Sequence, residues 1–277
     1  MSKVIFISYA NDAMAWSLRR IGRQARRLGI FDEVILYTPA DVPDYVREYP
    51  MFKYPQGAGF WCWKPAMIYE TLQRHDEGDI VVYVDAGCTL RKTIQWSQYI
   101  RLMKRYDTIC FQYDEEQPQW KNLGCTSSKL KHWTKKKTLE FNQEYFGRDD
   151  IGEICQILGG ILFMKGKNNA VLRQWKDLLF SNYELITNSL GEERKQEPPE
   201  FVIHRHDQTL LTPLAVFDPD TLVLPETVEQ YSKDSFVWAS RIRAGSLRQG
   251  ISTLAKLYLR VWMGNDRIDR LKKRVAK

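Results

Sequence analysis

The chain has 277 residues, 44% hydrophobic and 27% charged, a globular composition long enough for one large α/β domain or two intimate halves. Its net charge of +7 would point to nucleic acid if spread over the body, but residues 241–277 hold eleven Lys or Arg against two Asp or Glu, leaving residues 1–240 with thirty against thirty-two. No apolar run approaches the roughly 20 residues of a membrane-crossing helix, and five scattered cysteines (Cys62, Cys88, Cys110, Cys125 and Cys155) with no CxxC pair argue against a zinc knuckle or a disulfide framework.

In chain order, residues 3–9 form a continuous apolar run, as expected of a strand buried on both faces of a parallel sheet, with no secretory leader pattern before it. Asn11 and Asp12 can cap a helix over 13–28 that Gly29 closes, and residues 33–38 read as a second strand, which makes a βαβ opening. Residues 39–59 are loop with one short helix. A helix follows from Pro65 to about Arg74, with proline in its first turn. Residues 80–84 are the most apolar β-branched run and predict the central strand, which ends in Asp85-Ala86-Gly87.

A helix around 95–105 and a strand over 108–112 complete the first half, 1–115. In the second half, 116–240, residues 138–146 read as helix, 157–163 as a buried strand containing Gly159-Gly160, and 168–180 as helix with Val171, Leu172, Trp175, Leu178 and Leu179 on one face. The charged, proline-bearing stretch 192–200 reads as a mobile loop. The expected architecture is a mixed, mostly parallel α/β sheet flanked by helices, followed by a basic amphipathic tail over 241–277.

Three segments carry groups suited to chemistry. Asp85 stands beyond the carboxyl end of a rigid strand, where open α/β sheets bind ligands, and Gly87 lets backbone approach closely. Residues 57–65 bring Trp61, Trp63 and Lys64 to a helix start, a combination suited to rings and phosphate. Residues 201–211 gather His204, Arg205, His206, Asp207 and Gln208 before an apolar helix, which leaves metal ligation, base chemistry and anion binding open. Read singly, the first two have ordinary structural explanations, a turn glycine and core aromatics.

Taken together, the order of these segments over about residues 3–215 resembles the GT-A superfamily of glycosyltransferases, and most of all the bacterial polysaccharide and lipopolysaccharide transferases related to glycosyltransferase family 8. The resemblance implies a GT-A-like fold. It also implies a nucleotide-sugar donor, a UDP-sugar first, and Mn²⁺ or Mg²⁺ held by an Asp-x-Asp motif. Asp85 matches the first carboxylate of that motif, and Gly87 stands where the second would be. The cation would then rest on Asp85 with His204 or His206.

By the same resemblance Ser8 and Tyr9 meet the nucleotide, and Trp63, Lys64, Ala86, Gly159 and Gly160 complete the donor site. Asp207 and Gln208 stand near the reacting carbon. The implied acceptor is a glycan or lipid-linked glycan of a bacterial surface, with Trp133 and Lys135 in the basic run 129–137 as its contacts. The tail implies a cytoplasmic enzyme peripherally attached to the anionic inner face of the plasma membrane. Two rivals are weaker: a sugar nucleotidyltransferase would carry a Gly-rich basic loop after the first strand, and a nucleic-acid-binding module would need a continuous basic face.

Overall fold

A computed structural model describes residues 2–263 apart from Gln230 and Lys233. The first strand, β1 (Val4–Tyr9), is buried along its whole length, as its unbroken apolar run requires. It leads into α1 (Ala15–Leu28), which Gly29 ends in the left-handed region at φ 66°, and then β2 (Glu33–Tyr37). The next long helix, α2 (Trp63–Gln73), lies on the sheet and delivers the chain to β3 (Ile80–Val84), again wholly buried.

The remaining elements are β4 (Thr89–Leu90), α3 (Gln95–Leu102), β5 (Thr108–Gln112), α4 (Lys136–Phe146), β6 (Ile161–Lys165), α5 (Ala170–Ser181), α6 (Asp207–Phe217), β7 (Thr221–Pro225), β8 (Val237–Trp238) and α7 (Leu247–Met263). Six strands form one sheet in the order β2-β1-β3-β6-β5-β7, and β4 and β8 make a small antiparallel pair. In the large sheet the β2–β1, β1–β3 and β5–β7 pairings are parallel, and β6 alone runs against its neighbours β3 and β5. The mixed, mostly parallel sheet flanked by helices is therefore present.

This topology positions the site. Because β1 and β3 are parallel, Tyr9 and Asp85 leave the sheet at the same edge. Because β6 is antiparallel, it begins at the edge where β3 ends, with Val84 opposite Ile161 and the Asp85 amide donating to the Gly160 carbonyl at 2.9 Å. The core lies on both sheet faces. One side gathers Trp63, Met67, Leu162, Trp175 and Leu210, and the other gathers Phe6, Trp96, Phe111, Phe163 and Phe236.

Four local readings change. The strand expected over 157–163 begins at Ile161, after the glycine pair, which lies in a turn, and only Ile157 bridges to Gln112 ahead of it. Residues 39–59 hold four short helical pieces instead of one, from Pro39–Asp41 to Gly57–Phe60. The stretch read as a mobile loop starts with a short helix, Gly191–Lys195.

The boundary at 240 also shifts. Residues 240–244 are threaded into the domain, with Ile242 and Ala244 fully buried and the Ser17 hydroxyl donating to the Ile242 carbonyl at 2.7 Å. Beyond them α7 packs through Gly250, where an added Cβ would fall 2.3 Å from the Trp16 ring, and through Leu257.

Candidate active site

The strand end at Asp85 is the centre of a convergence of four segments distant in sequence. Asp85 itself is partly exposed, and the hydroxyl of Tyr83 donates to its Oδ1. Against it lies the glycine pair. A Cβ on Gly160 would sit 2.8 Å from Asp85 Oδ2, and one on Gly159 would sit 2.7 Å from Gln208 Cγ. Both glycines are required by this close approach, since side chains there would displace the two polar groups.

Below them is a buried ion pair. Lys64 Nζ reaches Asp207 Oδ2 at 2.8 Å and donates to the Gly159 carbonyl at 3.0 Å, and both side chains are almost inaccessible, at 2% and 1%. Burial pushes the Asp207 carboxyl up to about 6 against the pull of Lys64, with the negative charge of Asp85 adding to the rise. Burial also opposes the charge on Lys64, but Asp207 and Asp85 outweigh it and hold the ammonium above its ordinary value. One lysine thus balances two carboxylates.

Sequence reasoning had placed Asp207 beside the reacting atoms. Its Oδ2 pairs with Lys64 and its surface is buried, beneath Asp85 and Gln208, the two partly exposed members.

The other expected donor contacts lie deeper than predicted. Ser8 is fully buried and its hydroxyl donates to the Val84 carbonyl at 2.7 Å, so it ties β1 to β3. Tyr9 is buried and stacks on Trp63 with ring centroids 4.0 Å apart, while the Trp63 indole N–H donates to the Gly57 carbonyl at 2.9 Å. Ala86 is buried as well. These residues support the edge from within.

The histidines are spent. His204 holds the Leu185 carbonyl at 2.9 Å through Nε2, and its Nδ1 accepts the Lys135 amide at 3.2 Å. His206 meets the Ile186 carbonyl at 2.7 Å and Gln56 at 2.9 Å. Burial drives both toward the neutral form, His206 down to about 4 and His204 well below its ordinary value. His206 is also held at φ 50° and packs on Phe60 and Trp61, themselves at φ 54° and 62°, so strained backbone on two segments meets beside the site.

The residues expected to meet the acceptor are buried as well, and Lys135 stands in the wall of a groove. Trp133 is fully buried against Trp120, and its indole donates to the Ser127 carbonyl at 2.6 Å. Lys135, 1% exposed, pairs with Glu193 at 3.0 Å. The groove, of about 570 Å³, runs along Lys136, Lys137, Glu140, Glu184 and Glu193, but none of the groups converging on Asp85 lines it.

No family model matches the chain, and neither does any curated protein. Solved structures similar to it include glycosyltransferases. Mouse xyloside xylosyltransferase 1 in its apo form is 10% identical, with 80% of this chain and 84% of that one covered and a TM-score of 0.36. The galactosyltransferase LgtC, in complex with donor and acceptor sugar analogues, is 12% identical over 79% and 72%, at 0.35. The bifunctional glycosyltransferase WbbM is 12% identical, with 92% of this chain matched to 44% of that one, at 0.38. Likeness of this degree leaves the chemistry to be read from the chain's own groups.

Those groups do not suit a protein-held divalent cation. Hard cations need several oxygen ligands, yet Asp85 already accepts from Tyr83 on one oxygen and has the Lys64 charge in its field. Gly87 stands where the second carboxylate is expected, and the imidazoles expected in its place, His204 and His206, are engaged elsewhere. Among the described residues no group of three or more His, Cys, Asp or Glu could hold a metal ion.

Arginine surrounds this edge in a way the sequence reading did not find. Arg20, buried on α1, donates to the Thr89 hydroxyl at 2.8 Å and to the carbonyls of Ala86 and Cys88, clamping the turn that follows Asp85. Its signal was its spacing, four residues after Trp16 on the buried face of the helix. Arg205 lies over Trp133 and Trp120, at 4.7 and 5.3 Å, and Arg241 pairs with Glu229 at 2.6 Å. Arg241 had been counted with the tail.

Proposed function

We propose that the chain is a glycosyltransferase that moves a sugar from a nucleoside diphosphate sugar, a UDP-sugar first among candidates, to a hydroxyl of a growing glycan of a bacterial surface. The observation that supports this most is the meeting of Asp85, Gly159-Gly160, Lys64 and Asp207-Gln208 at the carboxyl end of β3. In open α/β sheets that edge is where ligands bind, at the point where strand order reverses, and here the order reverses between β1 and β3. Asp85 and Gln208 face the substrates. The charge of Lys64 lies beneath, fixed in place by Asp207 before any reaction begins, and its potential favours the negative charge that develops as a diphosphate departs.

A nucleotidyltransferase is less well supported. The turn after β1, Ala10 to Met14, holds no glycine and no basic residue to wrap a triphosphate.

The peripheral attachment is part of the same proposal. On α7, Leu247, Ile251, Tyr258 and Leu259 are exposed, while Leu254 and Leu257 pack inward, so apolar side chains face out on a helix that also exposes Arg248 and Lys256. Residues 264–277 lie outside the described ones. Among the described residues no helix is long and apolar enough to cross a membrane. Sedimentation with anionic vesicles tests the attachment: changing Leu247, Ile251 and Tyr258 together to Ser should release the protein. Equal sedimentation of both forms would rule these side chains out.

For the activity itself, UDP-, GDP- and CMP-sugars are offered to the full chain, and binding and slow donor hydrolysis are followed. At least one should bind, and Asp85→Asn should weaken hydrolysis by about a hundredfold. If none binds and Asp85→Asn changes nothing, the proposal fails.

A further inference from the structure

The position of the missing second carboxylate is filled by the chain itself. The Gly87 carbonyl accepts both the Ile242 amide and the Ser240 hydroxyl at 2.9 Å, and an added Cβ on Gly87 would lie 3.4 Å from the Cα of Arg241 and from the Ile242 nitrogen. The strap is fixed at both ends. Ser240 bonds to the Thr89 hydroxyl at 2.8 Å, and the Ile242 carbonyl accepts from Ser17.

Between those anchors Arg241 is held at φ 50°, a left-handed conformation that side chains other than glycine's rarely adopt. Such strain persists only where neighbours over-determine it, and it delivers an arginine to the place where a cation-binding carboxylate would otherwise project. The side chain is 58% exposed and has one carboxylate partner, Glu229. Glu229 is shared with the Tyr113 hydroxyl at 3.1 Å and the Trp120 indole at 3.5 Å.

Arg205 stands close enough to feel the charges of both Arg241 and Glu229, and its Nε is buried with no hydrogen-bond partner among the described residues. The Cys88 thiol lies in the field of Asp85, Arg20, Glu229 and Arg241 together, which places these groups in one neighbourhood. Around the edge, Lys64, Arg20, Arg205 and Arg241 stand against Asp85, Asp207, Glu229 and the buried Glu226. The charges balance before any ligand arrives, and Arg241 is the most exposed cation among the four.

We propose that Arg241, supported by Arg205, neutralises the donor's diphosphate at this edge in place of a protein-held divalent cation. The inference rests on the glycosyltransferase reading above. A guanidinium suits this task because its fork pairs with two phosphate oxygens at once and does not lose its charge.

Calorimetric titration of UDP and GDP into the full chain, in EDTA and then in Mn²⁺ or Mg²⁺, tests it directly. At least one diphosphate should bind in EDTA with an affinity within about threefold of that with metal, and Arg241→Gln should weaken it about tenfold or more, the loss of one charge-assisted contact. Arg241→Lys should retain part of the affinity, since it restores the charge without the fork. An unchanged melting temperature in both variants confirms that the fold is intact.

Binding that appears only with metal, or Arg241→Gln binding as tightly as the unaltered chain, overturns the inference and leaves the transferase reading standing. A chain that binds only a CMP-sugar, which carries one phosphate, refutes the diphosphate donor and the inference with it. A chain that binds none of these ligands refutes the donor reading, and the inference with it.

Discussion

Two cation-bearing regions, the Asp85 edge and the basic run 129–137, both look like ligand surfaces in the sequence, and the fold treats them in opposite ways. In the run each cation is spent on a neighbouring carboxylate: Lys129 on Glu115 and Glu153, Lys131 on Glu153, Lys135 on Glu193, Lys136 on Glu140 and Lys137 on Glu184. Its aromatic residue, Trp133, is core. At the Asp85 edge a single buried lysine answers two carboxylates, glycines open the approach, and Arg241 pairs with Glu229 while Arg205 lies in the field of both. Residue type alone does not mark a site. What marks it is charge brought together from distant segments.

The largest effects should come from breaking that edge from below. Lys64→Met strands the buried Asp207 carboxylate and should cost about 3–5 kcal/mol of unfolding free energy in a denaturant titration, whereas Lys64→Met with Asp207→Leu should return most of it. Equal losses in the single and double variants would contradict the pairing. Trp133→Ala should also cost about 3–5 kcal/mol, as a core aromatic does. Loss of turnover without loss of stability would make it a sugar platform after all.

Much of the scaffold was legible in advance. The apolar runs of β1 and β3 gave two central strands, and Asp85 was placed at a strand end from its position after Ile80–Val84. The partners of Asp85 were partly legible too, since Lys64, Gly159, Gly160 and Gln208 were all named. Their geometry was not. The antiparallel entry of β6 depends on pairing across roughly eighty residues, which no local pattern encodes, and it turned the glycine pair from strand interior into strand entrance.

Burial was the other blind spot. Ser8, Lys135, His204 and His206 are polar residues whose every useful group is answered internally. Sequence shows the residue but not its partner. Arg241 was hidden for a different reason: its charge was averaged into a basic tail, although its backbone lies inside the domain.

A smaller effect concerns pH. His204 and His206 fold with depressed values, so unfolding takes up protons in acid, and stability should fall as pH drops from about 6.5 toward 4, by on the order of 3 kcal/mol for His206 alone. Asp207 works in the other direction, since its raised value means that protonation between about 6 and 4 relieves a buried charge. The two imidazoles should outweigh it. His206→Gln should flatten the profile measured by thermal melts, and an unchanged slope would contradict the assignment. Smallest of all, Lys137→Ala removes an exposed ion pair with Glu184 and should shift stability by less than about 1 kcal/mol.

Hydrogen exchange with and without a saturating sugar nucleotide decides between the two regions most directly. The account predicts slowed exchange over 85–88 and 158–161, with no change over 129–137. Protection confined to 129–137 would contradict it.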